Sequence, residues 1–334
     1  MSPGTGAAIF GCAGPVLGRD EAAFFREYDP AGFIVFNRNL GNPSQIRRLT
    51  EDLRAAVGRE APIFIDQEGG RVQRLGPPHW REWLPPLDFV AAASGRAERA
   101  MELRYALTGA ELAALGIHGN CAPVLDLAGA ETHPFLKNRC YGGDPMQVAR
   151  LGWVVARGLL SAGVLPVMKH LPGHGRARLD THYDLPRVTA PRATLRKSDF
   201  APFRALAALP LAMTAHVVFT AYDDRPATLS PALLRAIRRD IGFQGVLMTD
   251  DLNMEALSGT LAERTRSAMD AGCDLALHCS GDLAEMREVA GAAGEMTSAA
   301  ASRMTRALRF RQPQALDIAA MDAELKAIMD SADG

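Results

Sequence analysis

The sequence is poor in the features that mark several large classes of protein. Its 334 residues include only five cysteines, an odd number at irregular spacing with no CxxC pair. A disulfide framework is therefore not indicated, and we expect reduced thiols, several of them buried in strands. The net charge is −1, with 37 basic and 38 acidic residues. Such a balance shows no electrostatic footprint for nucleic acid or for an anionic membrane.

Long apolar segments are also scarce. The first residues, MSPGTGAAIFGCAG, lack a basic region followed by a long apolar core, so a secretory signal is not expected. One uncharged run, from Ala205 to Tyr222, is long enough to raise the question of a membrane span. It contains Pro210, Thr214 and His216, and we interpret it as a helix end, a turn and a buried strand. The expected class is a soluble cytoplasmic protein without nucleic-acid or membrane partners.

What the chain does contain is a set of eight short apolar runs that alternate with helical patterns. This alternation predicts an α/β protein built as a single parallel (β/α)8 TIM barrel, whose usual size of about 250 residues plus insertions fits the chain. A doubly wound open sheet is the rival, but no GxGxxG or GxxxxGK[ST] follows the first run. No linker divides the chain. We expect one barrel domain over residues 1–334, with a helical tail over about 313–334 on its outside.

The limits of the predicted elements follow from breakers and capping residues. Ser230 followed by Pro231, and Asn42 followed by Pro43, are typical helix starts. The predicted strands are Ala7–Cys12, Gly32–Phe36, Pro62–Ile65, His118–Leu125, Leu165–Lys169, Leu211–Val217, Gly245–Thr249 and Asp274–His278. The predicted helices are Arg19–Glu27, Pro43–Val57, Arg96–Leu115, Asp144–Ala162, Lys197–Ala208, Pro231–Ile241, Leu261–Ala271 and Asp282–Ala292.

Polar side chains gather at the carboxyl ends of the predicted strands. In a parallel barrel these ends form the face that carries the active site. After the fifth strand, the segment from His170 to about Thr194 has no clear helical period. A loop of that length in a compact domain, rich in His and Asp, is expected to be functional. The polar residues at the strand ends are Asp66, Asp126, Lys169, His170, His216, Asp250, Asp251 and His278.

Three histidines and two acids in or near this loop could hold a metal ion, as in a metal-dependent barrel hydrolase. Pro172 and Gly173 separate the first two histidines, so they do not form the helical pair of a metalloprotease. The first predicted strand, AAIFGC, offers no ligand. We keep the metal site as an alternative and expect neither a metal nor another cofactor. The residues concerned are His170, His174, Asp180, His182 and Asp250.

Proton transfer is the preferred interpretation of the same loop. Residues i and i+2 of an extended segment point the same way, so Asp180 can accept a hydrogen bond from His182. That bond would fix the tautomer of His182 and raise its pKa, so the ring could donate a proton near neutral pH. The simpler alternative is that Asp180 and His182 are ordinary surface side chains.

Two acidic segments at strand ends also allow more than one role. Asp250 and Asp251 could supply a nucleophile, a metal ligand or a helix N-cap, and a pair suggests one catalytic and one structural carboxylate. In IDQEGGRVQRL, the glycines permit a tight turn and close approach of a ligand. Asp66 could there bind two sugar hydroxyls, or the segment is a turn with a salt bridge.

These blocks resemble a known family. KHLPGHGRARLDTH is similar to the KH(F)PGHG and D(S/T)H pattern of the bacterial β-N-acetylhexosaminidases in glycoside hydrolase family 3. IDQEGGRVQRL, KNRCYGGDP, MTAHVVF and MTDDLNM resemble the other blocks of that family, in the same order. The resemblance covers roughly residues 5–300. Leu171 replaces the usual Phe and Thr181 the more frequent Ser, and both changes are modest.

The resemblance implies roles for eight residues. Asp250 corresponds to the nucleophile, His182 to the general acid/base and Asp180 to its partner. The activity implied is removal of terminal β-linked N-acetylglucosamine with retention, typically from cytosolic muropeptides with anhydro-N-acetylmuramic acid in cell-wall recycling. The residues implied to hold the sugar are Asp66, Arg74, Arg139, Lys169 and His170.

Two further functions stay open beside the metal-dependent hydrolase. One is a phosphorolytic variant of the same chemistry, since a histidine acid/base adds no negative charge that would repel an anion. The other is a sugar-binding barrel without turnover. Arg176 and Arg178 make the loop basic and could favour an acidic aglycone, although we interpret them as solvated side chains.

Overall fold

The structure is a computed structural model, and it describes residues 1–177 and 185–331. The strands are β1 Gly6–Gly11, β2 Pro30–Val35, β3 Ile63–Ile65, β4 Gln67–Gly69, β5 Val72–Gln73, β6 Gly119–Asn120, β7 Leu165–Leu171, β8 Arg187–Val188, β9 Leu211–Thr214, β10 Val218–Phe219, β11 Val246–Asp251 and β12 Leu275–His278. The helices are α1 Arg19–Tyr28, α2 Pro43–Val57, α3 Pro86–Ala92, α4 Ala97–Ala113, α5 Pro134–Lys137, α6 Pro145–Ser161, α7 Arg192–Lys197, α8 Ala201–Ala205, α9 Pro231–Ala236, α10 Leu261–Ala271, α11 Leu283–Ala293, α12 Ser298–Leu308 and α13 Ile318–Asp330.

Eight of these strands form a closed barrel in the order β1-β12-β11-β9-β7-β6-β3-β2. Every pairing between neighbours is parallel, and β1 pairs with both β2 and β12, which closes the sheet. Helices connect the strands on the outside, because a parallel pair needs a crossover of a dozen or more residues. The predicted (β/α)8 barrel is confirmed, and each of the eight predicted strands corresponds to one barrel strand.

The fourth barrel strand is much shorter than predicted. The ladder of β6 covers only Gly119–Asn120, in place of His118–Leu125. Pro123 has no N–H to donate, so regular pairing cannot continue through it. A single bridge from Val124 to Lys169 resumes the contact with β7. The phenyl ring of Phe64 fills the space beside Gly119, where a Cβ would lie 2.2 Å from the ring.

The core has two layers. Large apolar side chains such as Ile9, Phe64 and Val167 fill the barrel interior, and a second, larger cluster lies between the strands and the surrounding helices. Helix α12, which we did not predict, buries Met304 and Leu308 against the interior cluster. Arg303 of α12 donates a hydrogen bond to Asp274, which directly precedes β12. Helix α12 therefore covers the amino-terminal end of the barrel.

The two helix starts predicted from capping residues are confirmed, whereas one predicted helix differs from the structure. The Ser230 side chain accepts the Leu233 N–H, and Asn42 caps α2 in the same way. The predicted helix Lys197–Ala208 is wrong, because the chain forms α7 and α8 in its place. Pro202 fits only the first turn of a helix, so it begins α8 and cannot continue α7.

The C-terminal tail forms α13, which packs against α4 on the outside of the barrel. Leu325 and Ile328 are buried there, and Arg99 pairs with Glu324. The extent of a single domain stays a prediction. All five cysteines are free thiols, and four of them are buried. Among the described helices, we find none with both the length and the apolar character needed to cross a membrane.

Candidate active site

A cavity of about 270 Å³ opens at the carboxyl ends of the barrel strands. Apolar side chains of the barrel interior, including Ile34, Met213 and Leu277, form part of its wall and close it from below. Six of the eight predicted site residues line this one cavity. They are Asp66, Arg74, Arg139, Lys169, His170 and Asp250.

The strand ends place these side chains. Asp66 directly follows β3, while Lys169 and His170 lie near the end of β7. Arg74 follows the small antiparallel pair of β4 and β5, and Arg139 follows α5. Asp180 and His182, the predicted acid/base pair, lie outside the described residues.

A network of alternating charges, buried at Lys169 and Glu68 and partly exposed at Asp66 and Arg74, forms one side of the cavity. The Lys169 ammonium lies 2.7 Å from Asp66 Oδ1 and 2.6 Å from Glu68 Oε1. The Arg139 guanidinium donates two hydrogen bonds of 2.9 Å to the Glu68 carboxylate. Arg74 Nη2 lies 3.6 Å from the second oxygen of Asp66. The fork of Arg139 on Glu68 is the bidentate geometry that holds a guanidinium in one orientation.

These contacts keep the network ionised. Burial alone would raise the pKa of Asp66, but the Lys169 ammonium and the Arg74 guanidinium hold it well below its usual range. Burial would lower the pKa of Lys169, but the Asp66 and Glu68 carboxylates raise it above its usual range. The cavity therefore offers fixed charged donors and acceptors to the hydroxyls of a ligand.

Asp126 orients the histidine beside this network. It is fully buried, and its Oδ2 lies 2.7 Å from His170 Nδ1 while its Oδ1 accepts the His174 backbone N–H at 2.6 Å. Burial would raise the pKa of Asp126, but His170 lowers it, so the group is a carboxylate that can only accept. Nδ1 of His170 therefore carries the proton, and Nε2 faces Arg139 Nη2 at 3.4 Å.

Asp250 and Asp251 have different surroundings. The Asp250 carboxylate lines the cavity, accepts the Asp251 N–H and forms no ion pair with any described residue. Burial would raise the pKa of Asp250, but His216, His170 and that N–H lower it below the usual range. Asp251 Oδ1 accepts the backbone N–H groups of Asn253 and Cys279, which joins the ends of β11 and β12. Burial and the charge of Asp250 raise the pKa of Asp251 to about 6.

The other predicted strand-end residues do not all reach the cavity. His216 is buried, with its ring nitrogens 2.9 Å from the Asp251 carbonyl and 2.8 Å from Thr228 Oγ1. His278 contacts Ser280 and Glu285, away from the cavity lining. His174 does line the cavity, and burial lowers its pKa to about 4, so its ring is neutral at pH 7.

The metal alternative has no support in the described part of the chain. Residues 1–177 and 185–331 contain no group of three or more His, Cys, Asp or Glu side chains that could hold a metal ion. Two members of the proposed ligand set, Asp180 and His182, lie outside those ranges.

Two residues of the site were not recognised from the sequence. Glu68 was expected only as part of a turn, and Asp126 only as a polar strand end, yet both hold other site residues in place. Their position was the available signal. Glu68 lies shortly after β3, and Asp126 directly follows the predicted fourth strand, so both lie at the carboxyl face of the barrel.

At the carboxyl face of this (β/α)8 barrel lies a charged cavity with a carboxylate, Asp250, that forms no ion pair with any described residue, an arrangement suited to a glycoside hydrolase. Residues 17–310 match the N-terminal domain of glycosyl hydrolase family 3. The chain belongs to this family, and the predicted enzyme class, a glycoside hydrolase, is confirmed.

Individual relatives match over most of their length. The Beta-hexosaminidase of Alkalilimnicola ehrlichii is 38% identical over 286 residues, which are 82% of this chain and 81% of the relative. Among solved structures, NagZ from Neisseria gonorrhoeae in complex with N-trifluoroacetyl-D-glucosamine has a TM-score of 0.84 and 30% identity, covering 99% of this chain and 98% of that one. A family 3 β-N-acetylglucosaminidase from Paenibacillus sp. str. FPU-7 has a TM-score of 0.82 and 31% identity, covering 98% of this chain and 62% of that one.

Proposed function

We propose that this chain is a retaining exo-β-N-acetylglucosaminidase that acts through a covalent glycosyl-enzyme on Asp250. The observation that carries the proposal is the position of the Asp250 carboxylate, which faces the same small cavity as the charged network of Asp66 and Lys169. The relatives support the substrate class, because they are named hexosaminidases or N-acetylglucosaminidases.

The network is suited to hold one terminal sugar. Asp66 has two acceptor oxygens, Lys169 and Arg74 supply donors, and His170 and Arg139 extend the polar wall. A cavity of about 270 Å³ that is closed from below has no room for further sugars beyond the first, so we expect attack at chain ends. The aglycone then extends out of the opening.

The reaction has two displacements. Asp250 attacks the anomeric carbon, the bond to the leaving oxygen breaks, and His182 gives that oxygen a proton. His182 then removes a proton from water, which attacks the same carbon and releases Asp250. Two inversions give net retention. Retaining enzymes commonly use two carboxylates about 5–5.5 Å apart, and here His182 would take the place of one, with Asp180 as its partner.

The expected natural substrate is an N-acetylglucosaminyl muropeptide with anhydro-N-acetylmuramic acid, in cell-wall recycling. The cytoplasmic location expected from the sequence belongs to the same proposal.

Release of nitrophenol from an aryl N-acetyl-β-glucosaminide tests the function, with the matching β-glucoside as a comparison. We expect turnover of the N-acetyl substrate only, unaffected by a chelator and by added phosphate. Activity that a chelator removes would support a metal-dependent hydrolase, and acceleration by phosphate a phosphorolytic enzyme. Binding of N-acetylglucosamine without turnover would indicate a sugar-binding barrel.

His182→Ala is expected to affect substrates with poor leaving groups most. Loss of a general acid costs about 10²–10⁴-fold where the leaving oxygen needs a proton, and much less for a nitrophenolate. The measurement is kcat/KM over a series of aryl N-acetyl-β-glucosaminides of different leaving-group pKa. The control is His79→Ala, which removes an exposed histidine. Equal losses over the series would contradict the acid role.

Asp126→Asn is expected to lower kcat/KM about 10–100-fold, because it removes a charged acceptor from a buried hydrogen bond worth about 1.5–3 kcal/mol. Nitrogen NMR of the His170 ring gives a second readout. We expect the wild-type ring to be protonated at Nδ1 and the variant to populate the other tautomer. The exposed Asp224→Asn is the control. An unchanged tautomer in an impaired variant would show that Asp126 acts in another way.

A further inference from the structure

Among the described residues, four Arg or Lys side chains line the cavity, and three of them contact a carboxylate of the site. The fourth, Arg71, is exposed and contacts no carboxylate among the described residues. The three paired cations are Arg74, Arg139 and Lys169. The charges of the paired cations are compensated within the site. Among the described lining residues, Arg71 is therefore the cation that can pair with an anion of a ligand.

The guanidinium of Arg71 is held in place without a carboxylate. Its central carbon lies 3.9 Å from the centroid of the Phe135 ring, and its Nη1 lies 3.5 Å from the Phe135 carbonyl oxygen. Stacking of a cation on an aromatic face is attractive and restricts the side chain. Because the ring covers only the face of the guanidinium, the N–H groups at its edge can still form a bidentate pair with a carboxylate.

The position of Arg71 relates it to the leaving group. Lys169 and His170 are buried at the base of the cavity, whereas Arg71 is exposed at its opening. In an enzyme that acts at chain ends, the terminal sugar occupies the base and the aglycone passes the opening. Arg71 therefore lies where the aglycone leaves the cavity.

The loop arginine Arg176 is a weaker candidate for the same task. Its Nε lies 2.8 Å from Asp199 Oδ2 and its Nη2 lies 3.1 Å from Ser198 Oγ, and it does not line the cavity. Arg178 lies outside the described residues.

We propose that Arg71 determines aglycone specificity by binding a carboxylate on the leaving group. The inference rests on the proposed function and deepens it, since it assigns to one residue the preference for acidic aglycones such as a carboxylated sugar.

The test uses two substrates that differ in one charge, 3-carboxy-4-nitrophenyl N-acetyl-β-glucosaminide and its methyl ester. The quantity measured is the ratio of kcat/KM for the acid to that for the ester, so effects of a variant on the fold or on the sugar site cancel. We expect Arg71→Gln to lower this ratio about tenfold and Arg71→Lys to lower it less, because lysine keeps the charge but loses the fork. Higher salt should reduce the wild-type ratio. Arg150→Gln, which removes an exposed arginine outside the cavity, should leave the ratio unchanged.

The outcomes separate the two proposals. If the wild type hydrolyses both substrates and Arg71→Gln keeps the wild-type ratio, the role of Arg71 is overturned and the proposed function stands. If the wild type hydrolyses neither, the proposed function is wrong and the role of Arg71 falls with it.

Discussion

Replacement of the Asp250 carboxylate by an amide, in Asp250→Asn, is expected to lower kcat by about 10⁴-fold or more. The amide is a poor nucleophile of nearly the same shape, and the sugar-binding network lies on other strands. Affinity for N-acetylglucosamine should therefore change only a few fold, by about 1 kcal/mol or less. Steady-state kinetics and calorimetric titration with the sugar measure the two quantities on the same preparation.

Asp251→Asn is the matched control for this variant. It changes the adjacent carboxylate, which accepts backbone N–H groups from Asn253 and Cys279, so we expect loss of stability more than loss of chemistry. If Asp250→Asn retained substantial turnover, Asp250 could not be the nucleophile.

Lys169→Met is expected to cause the second large effect, on both stability and substrate use. The ammonium compensates two carboxylates, Asp66 and Glu68, and the Glu68 side chain is fully buried. Removal of one partner from a buried ion pair costs about 3–5 kcal/mol. For a chain of this size we expect a fall in Tm of about 4–7 °C, together with a rise in KM of at least about tenfold.

The exposed Lys326→Met serves as the control for thermal unfolding and kinetics. An unchanged Tm in Lys169→Met would show that the network does not stabilise the fold.

Much of the fold could be predicted from the sequence because barrel strands are short, apolar and bounded by breakers. Strand β11 and helix α10 show this well, since local patterns alone determine them. Predictions were wrong where proline interrupts a pattern that is otherwise continuous, at Pro123 and at Pro202. Helix α12 was missed because alanine, serine and arginine dominate its sequence, and only Met304 and Leu308 among its buried side chains are large.

The candidate site was predictable to the extent that it depends on strand ends and on family blocks. Asp66 and Lys169 converge as expected because both lie at the carboxyl ends of barrel strands, β3 and β7, that are separated only by the short β6. The partners that hold the site could not be predicted, because Glu68 and Arg139 are 71 residues apart and Asp126 and His170 are 44 apart. Contacts at that distance depend on the closed barrel and not on local spacing.

The most direct test of the account is to trap and locate the glycosyl-enzyme. The protein would be incubated with a fluorinated N-acetylglucosaminyl substrate that slows the second displacement, and its peptides analysed by mass spectrometry. The account predicts one sugar attached to Asp250 and no adduct in Asp250→Asn. An adduct on another residue, or turnover with inversion of the anomeric centre, would contradict it.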